Sequence, residues 1–290
     1  MIRFGLILPN YDHSPANTAE GLRMAAQAAE AVGFDSVWAT DHVLVPDTER
    51  ARPYTNITEA LMTLGYLAGC TERVKLGASV IVLPMRHPVL VAKQVAALDY
   101  LSGGRALLGV GVGWNEAEYS FLNADFKRRG RRADEYIRAM RVLWESGDHA
   151  EFHGETVHFS NAVFAPKPVQ PGGPPIWVGG ASEAALRRAA TLGDGWHPTS
   201  FIDPAGVAER AARLRELAGA RADALTISAR IRMDFDAGPE AVRAAIGRVR
   251  AYVNAGVVYP VVHLNHASAE DLAAKIARFA REVMPAFAGE

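Results

Sequence analysis

Eight apolar runs of strand length, each followed by a helix-length segment, predict an α/β chain closed into a single TIM-type (β/α)8 barrel over residues 1–290. Two further observations point the same way. Every crossover is long enough to join parallel strands, and a length of 290 residues holds one barrel of about 250 residues with an insertion.

Residues 2–8 form a nearly continuous apolar run, the pattern of a strand buried on both faces. Residues 17–32 carry apolar or alanine positions at helical spacing and stop at Gly33, a C-terminal cap. Residues 34–39 are the second strand, ending in Thr40-Asp41-His42, and residues 57–70 the next helix. The third strand, residues 74–83, runs into a proline turn before a helix over 89–101, with Val91, Val95 and Leu98 on one face. Strand four is residues 107–112; its helix, 131–146, buries Ile137, Met140, Leu143 and Trp144. The pattern then breaks. Residues 147–175, with several prolines and glycines around an apolar stretch at 152–159, are expected to insert a hairpin after helix four. The alternation resumes with strands at 176–178, 195–198, 225–233 and 257–264, and helices at 182–192, 203–218, 239–254 and 269–283.

Composition narrows the partners. With 31 basic and 32 acidic residues, nucleic acid is not expected. No apolar run approaches a membrane span and no secretory pattern opens the chain, so a cytoplasmic protein away from membranes is expected. The single cysteine, Cys70, cannot form an internal disulfide, which agrees with a reducing compartment.

In such a barrel the C-terminal ends of the strands converge on one face and carry the chemistry. Those ends are Asn10, Asp41-His42, Ser79-Val80, Gly113-Trp114-Asn115-Glu116, Gly179 to Ser182, Trp196 to Thr199, Arg230 to Arg232 and His263 to His266. Gly109, Gly111 and Gly113 alternate along strand four, which leaves room for a ligand, for a neighbouring backbone, or for a tightly filled interior. His42 is the general acid or base candidate, because imidazole titrates near neutrality and the adjacent Asp41 would orient it. A structural role for both residues is the alternative. Trp114 and Trp196 offer flat faces for a ring, or fill the core. The Gly179-Gly180-Ala181-Ser182 turn leads into a helix, whose first N–H groups suit either a phosphate or a simple Ser182 cap. No metal site is expected: HExxH is missing, and His263 with His266 lacks a carboxylate cluster. No GxSxG nucleophile elbow occurs.

Several segments together resemble the bacterial luciferase-like family of flavin and deazaflavin oxidoreductases. They are FGLILPN, GFDSVWATDH, GASVIVLPMRHPVLVAKQVAALDYLSGGR, LGVGVGWNEAEY with RRADEYIRAMRVLW, and WVGGASEAALRRAATLGDGWHP, in the family's order over the first two thirds of the chain. The resemblance implies a barrel with an insertion and a planar cofactor across the strand ends. In the deazaflavin branch a non-proline cis peptide in strand three backs coenzyme F420; here that bond would be Ser79-Val80. The cofactor phosphate would sit at Gly179, Gly180, Ala181 and Ser182. Asp41 and His42 would face the reactive ring, with Gly113 and Asn115 beside it. The family's sugar-phosphate dehydrogenases place a catalytic glutamate where Trp114 stands, and Glu116 replaces it only with a shifted loop. Trp114 therefore implies a more apolar substrate face.

The expected function is an F420-dependent oxidoreductase moving a hydride between the deazaflavin C5 and a small organic substrate. His42 would exchange the proton, with Trp114 and Glu116 shaping the substrate side. The alternative is a reduced-FMN-dependent monooxygenase served by a separate flavin reductase; a non-catalytic flavin-binding barrel is the third reading. A homodimer is a further expectation from the resemblance.

Overall fold

The computed structural model describes residues 2–199, 202–236 and 238–289. The chain opens with β1 (Gly5–Ile7), α1 (Ala19–Ala31), β2 (Ser36–Ala39), α2 (Ala60–Ala68), β3 (Lys75–Val82), α3 (Pro88–Leu101) and β4 (Ala106–Gly111). It continues through α4 (Glu116–Phe121), α5 (Arg129–Glu145) and the strands β5 (Ala150–His153) and β6 (His158–Ala162). The last part holds β7 (Ile176–Val178), α6 (Glu183–Leu192), β8 (Gly195–Trp196), α7 (Pro204–Ala218), β9 (Thr226–Met233), α8 (Pro239–Asn254), β10 (Tyr259–Leu264) and α9 (Ala269–Glu282). Eight parallel strands close in the order β1-β10-β9-β8-β7-β4-β3-β2, while β5 and β6 form a separate antiparallel hairpin. The fold is the (β/α)8 barrel anticipated above, with the hairpin between the fourth outer helix, α5, and the fifth barrel strand, β7.

Local chemistry sets the boundaries. Thr18 caps α1 by accepting a hydrogen bond from the Gly21 amide, and Gly33, at φ +87°, turns the chain out of it. Prolines begin α7 and α8, where a missing N–H costs no helical bond. The first and sixth barrel strands are shorter than their apolar runs suggest. Phe4 and Leu8 flank β1 and are buried by packing, so apolarity continues beyond the ladder.

The barrel interior is solid. Trp38, Trp177, Tyr259, Ile7, Leu107 and Val261 form an inner cluster, and the Trp38 and Trp177 rings stack at 5.1 Å between centroids. A Cβ on Gly77 would fall 2.4 Å from the Trp38 ring, so glycine makes room for that indole. Each buried ring contributes roughly 2–3 kcal/mol through removal from water. With the interior filled, the cleft described below lies at the rim of the barrel, where strand ends and loops meet.

Candidate active site

The strand C-termini surround a cleft of about 360 Å³. Asp41, His42, Ser79, Val80, Gly113, Trp114, Gly179, Gly180 and Ser182 all border it, together with Thr40, Val82, Thr199 and Arg230. Two further lining residues, Arg50 and Tyr54, come from the loop between β2 and α2, where the sequence carries no periodic signal. Asn10 holds this end of the barrel in register: its Nδ2 donates to the Thr40 carbonyl at 2.8 Å, and its Oδ1 accepts from the Thr40 amide at 2.9 Å. Three of the residues expected to carry the chemistry or hold the cofactor stand outside the cleft. Asn115 is buried as the N-cap residue of α4, the Ala181 carbonyl accepts from Arg210, and Glu116 is exposed on the first turn of α4.

Val80 explains the glycines of β4. The Ser79–Val80 peptide is cis, the conformation the resemblance implied, and the β3–β4 register shifts between Ala78 and Ile81. A Cβ on Gly109 would fall 2.1 Å from the Ala78 carbonyl oxygen; on Gly111, 2.6 Å from a Val80 methyl; and on Gly179, 3.2 Å from both Val80 methyls. The occupant of the glycine face is thus the neighbouring strand's carbonyl and the Val80 side chain. Close approach by a neighbouring strand therefore accounts for Gly109 and Gly111, and Val80, seated in glycine, presents one wall of the cleft.

The Asp41–His42 pairing expected from adjacency does not form. His42 Nδ1 lies 2.7 Å from Glu118 Oε2, and Glu118 Oε1 accepts from the Val43 amide at 2.6 Å. Both side chains are buried. An ionised carboxylate only accepts, so Nδ1 is the donor in this contact. Nε2 has no hydrogen-bond partner among the described residues. Asp41 turns elsewhere: Oδ1 accepts from Arg86 at 2.8 Å and Oδ2 from the Val82 amide at 3.0 Å. Burial pushes the Asp41 carboxyl up from its ordinary value, against the pull of Arg86 and of that amide. Asp41 therefore ties β2 to the exit of β3. Glu118 escaped the sequence reading because α4 has only six residues, too few for a periodic signal. On a helix Glu116 and Glu118 point nearly opposite ways, which is why one is solvated and the other buried.

Around His42 the rings are crowded. Tyr54 lies 4.2 Å away between centroids and Trp114 stands edge-on at 5.9 Å. Burial pushes the Tyr54 phenol up, keeping it a neutral donor. The Arg50 guanidinium sits 4.0 Å from the Trp114 ring centroid.

On the opposite side, His197 lies just beyond β8 and is fully buried. Its Nε2 is 2.7 Å from Ser79 Oγ and its Nδ1 2.8 Å from Ser228 Oγ. Burial first, and then Arg230, lowers its pKa to about 3. It is a neutral strut beneath the Ser79 end of the cis bond. Trp196 is likewise a core residue rather than a stacking face: it is fully buried, and its Nε1 donates to the Gly180 carbonyl at 2.7 Å. This bond fixes the Gly179-Gly180 corner, where Gly180 has φ +95°. Ser182 caps α6 by accepting from the Ala185 amide.

A second cavity of about 300 Å³ opens beside the first, among Tyr11, Arg232, His263 and His266. Arg230, which donates to Tyr11 at 2.9 Å, stands between the two. Among the described residues no group of three metal-ligating side chains occurs, and no helix is long and apolar enough to cross a membrane.

Residues 2–287 match the luciferase-like monooxygenase family. An uncharacterised protein of Mycobacterium tuberculosis is 39% identical over 209 residues, covering 67% of this chain and 71% of that one. An F420-dependent glucose-6-phosphate dehydrogenase of Nakamurella multipartita is 32% identical over 82% of this chain and 69% of its own. An FMNH2-dependent dimethylsulfone monooxygenase of Pseudomonas putida is 30% identical over 77% of this chain and 60% of its own. In fold, the chain is similar to the coenzyme F420-dependent tetrahydromethanopterin reductase of Methanopyrus kandleri, with a TM-score of 0.79 at 18% identity and 99% coverage of both chains.

Proposed function

The chain belongs to the luciferase-like monooxygenase family, and within it we propose an F420-dependent oxidoreductase acting on a small organic substrate. The observation that carries this reading is the meeting of Asp41-His42, the cis Ser79–Val80 segment, Trp114 and the Gly179-Gly180 corner around one cleft of about 360 Å³. That volume lies within the roughly 300–1,000 Å³ of small-molecule sites. The residues fit a flat, phosphorylated cofactor. Val80 with Gly111 and Gly113 backs a planar ring without bulky side chains, and Thr40 Oγ1 is a buried polar atom at the cleft without a partner among the described residues. Gly179, Gly180 and the first turn of α6 would hold the phosphate.

When bound, the deazaflavin supplies the hydride chemistry. His42 moves the proton at Nε2, while Glu118 holds the tautomer through Nδ1. Asp41 keeps the exit of β3 in place through Val82, and the Ser79–His197–Ser228 chain holds the cis segment from below. Trp114 and Tyr54 keep water from the reacting side.

Titration of the purified protein with F420, reduced F420, FMN and reduced FMN tests this directly. Saturable F420 binding with substrate-dependent bleaching or recovery of its absorbance is expected. Tight FMN binding without F420 affinity would instead support the reduced-FMN monooxygenase reading, the activity of the dimethylsulfone enzyme to which the chain is 30% identical.

A further inference from the structure

We infer that Arg50 anchors the substrate, and that the substrate bears a carboxylate on an otherwise apolar group. This rests on the oxidoreductase reading, since it assigns the occupant of the same cleft. The argument begins with which charges face the space. Both Asp41 oxygens are engaged, by Arg86 and by the Val82 amide. Both Glu118 oxygens are engaged, by His42 and by the Val43 amide. Asp41 and Glu118 are thus buried and turned onto the protein itself.

Arg50 is the contrary case. It borders the cleft on an exposed stretch of loop, and its guanidinium meets no carboxylate among the described residues. What positions it is the Trp114 ring, 4.0 Å away. A guanidinium held by an aromatic face keeps its N–H donors at its periphery, in the fork that matches a carboxylate. Stacking also removes part of the side-chain entropy that an exposed arginine otherwise loses on binding. The neighbouring surfaces, Trp114 and Tyr54, are aromatic and lead to His42. A ligand whose anionic end rests on Arg50 therefore lays its apolar part along these rings, beside the nitrogen that exchanges the proton.

Isothermal titration with two isosteric pairs, benzoate against benzamide and hexanoate against hexanamide, tests the anchor on the wild-type protein, Arg50→Gln and Arg50→Lys, each with and without added F420 or FMN. The acids are expected to bind at least roughly ten-fold more tightly than the amides, the scale of one charge-assisted hydrogen bond. Arg50→Gln should bring each pair within about three-fold, while Arg50→Lys keeps part of the preference. Equal binding of acid and amide by the wild type, no binding of any of the four, or a preference that survives Arg50→Gln overturns the proposal. So does a loss in Arg50→Gln confined to F420 or FMN affinity, which would assign Arg50 to the cofactor. Acid preference on a protein that binds neither F420 nor FMN would leave the anchor standing and remove the oxidoreductase reading.

Discussion

His42 follows β2 and His197 follows β8, diametrically opposite strands of the barrel. Both imidazoles are buried. His197 spends both ring nitrogens on serine hydroxyls, and burial lowers its pKa to about 3. His42 spends one nitrogen on a carboxylate and keeps the other for the cleft. What separates the two rings is the second partner, rather than residue type or burial: His197 has both nitrogens bonded within the protein, and His42 has one.

The sharpest way to break the contrast is to remove each ring. Under the proposed function, His42→Ala should lower turnover by about 10²–10⁴-fold, the usual worth of a general acid or base, with little change in F420 affinity by titration. His197→Ala should instead lower the melting temperature; a turnover loss as deep as that of His42→Ala at full cofactor occupancy would show the two roles to be misassigned. Glu118→Gln comes next. It is expected to cost roughly 10–100-fold in kcat, the scale on which groups that orient an imidazole act, and unchanged kcat would mean that the tautomer needs no help.

Gly111→Ala sharpens the comparison at the wall between the two histidines. The new methyl would fall 2.6 Å from Val80, costing about 1–3 kcal/mol by overpacking and driving Val80 toward the cleft. Chemical denaturation and cofactor titration should both register it, and full F420 affinity would argue that Val80 backs no ring. A further effect concerns pH. The unfolded chain's imidazole takes a proton below about 6.5, whereas folded His197 stays neutral down to about 3. Its contribution is therefore intact above pH 6.5 and declines as pH falls toward 3, by up to about 1.4 kcal/mol per pH unit. Unfolding between pH 7 and 4 should be less pH-dependent in His197→Gln than in the wild type. The smallest effect is expected of Glu116→Gln, exposed on α4: a change of no more than about two-fold, the range of surface substitutions. A large loss would restore Glu116 to the site.

The sequence pattern located the barrel strands because each apolar run carries its burial locally: Val37, Trp38 and Ala39 read as interior residues and are fully buried. The strand-end rule likewise picked out most of the cleft's border. It missed Arg50 and Tyr54, whose loop has no period, and it offered Asp41 as the group orienting His42, although neighbours in sequence need not touch in space. The β4 glycines were legible as missing side chains, while their occupant, Val80, depends on the shifted β3–β4 register.

By itself, then, the sequence determined the alternation of elements, the barrel and the set of residues at its mouth, since periodicity and turn chemistry act over a few residues. Only the tertiary structure decided pairing: Glu118 with His42, Arg86 with Asp41, His197 beneath Ser79, Arg50 on Trp114. These four contacts depend on ångström distances between segments up to 118 positions apart in the chain, and no local pattern encodes those distances.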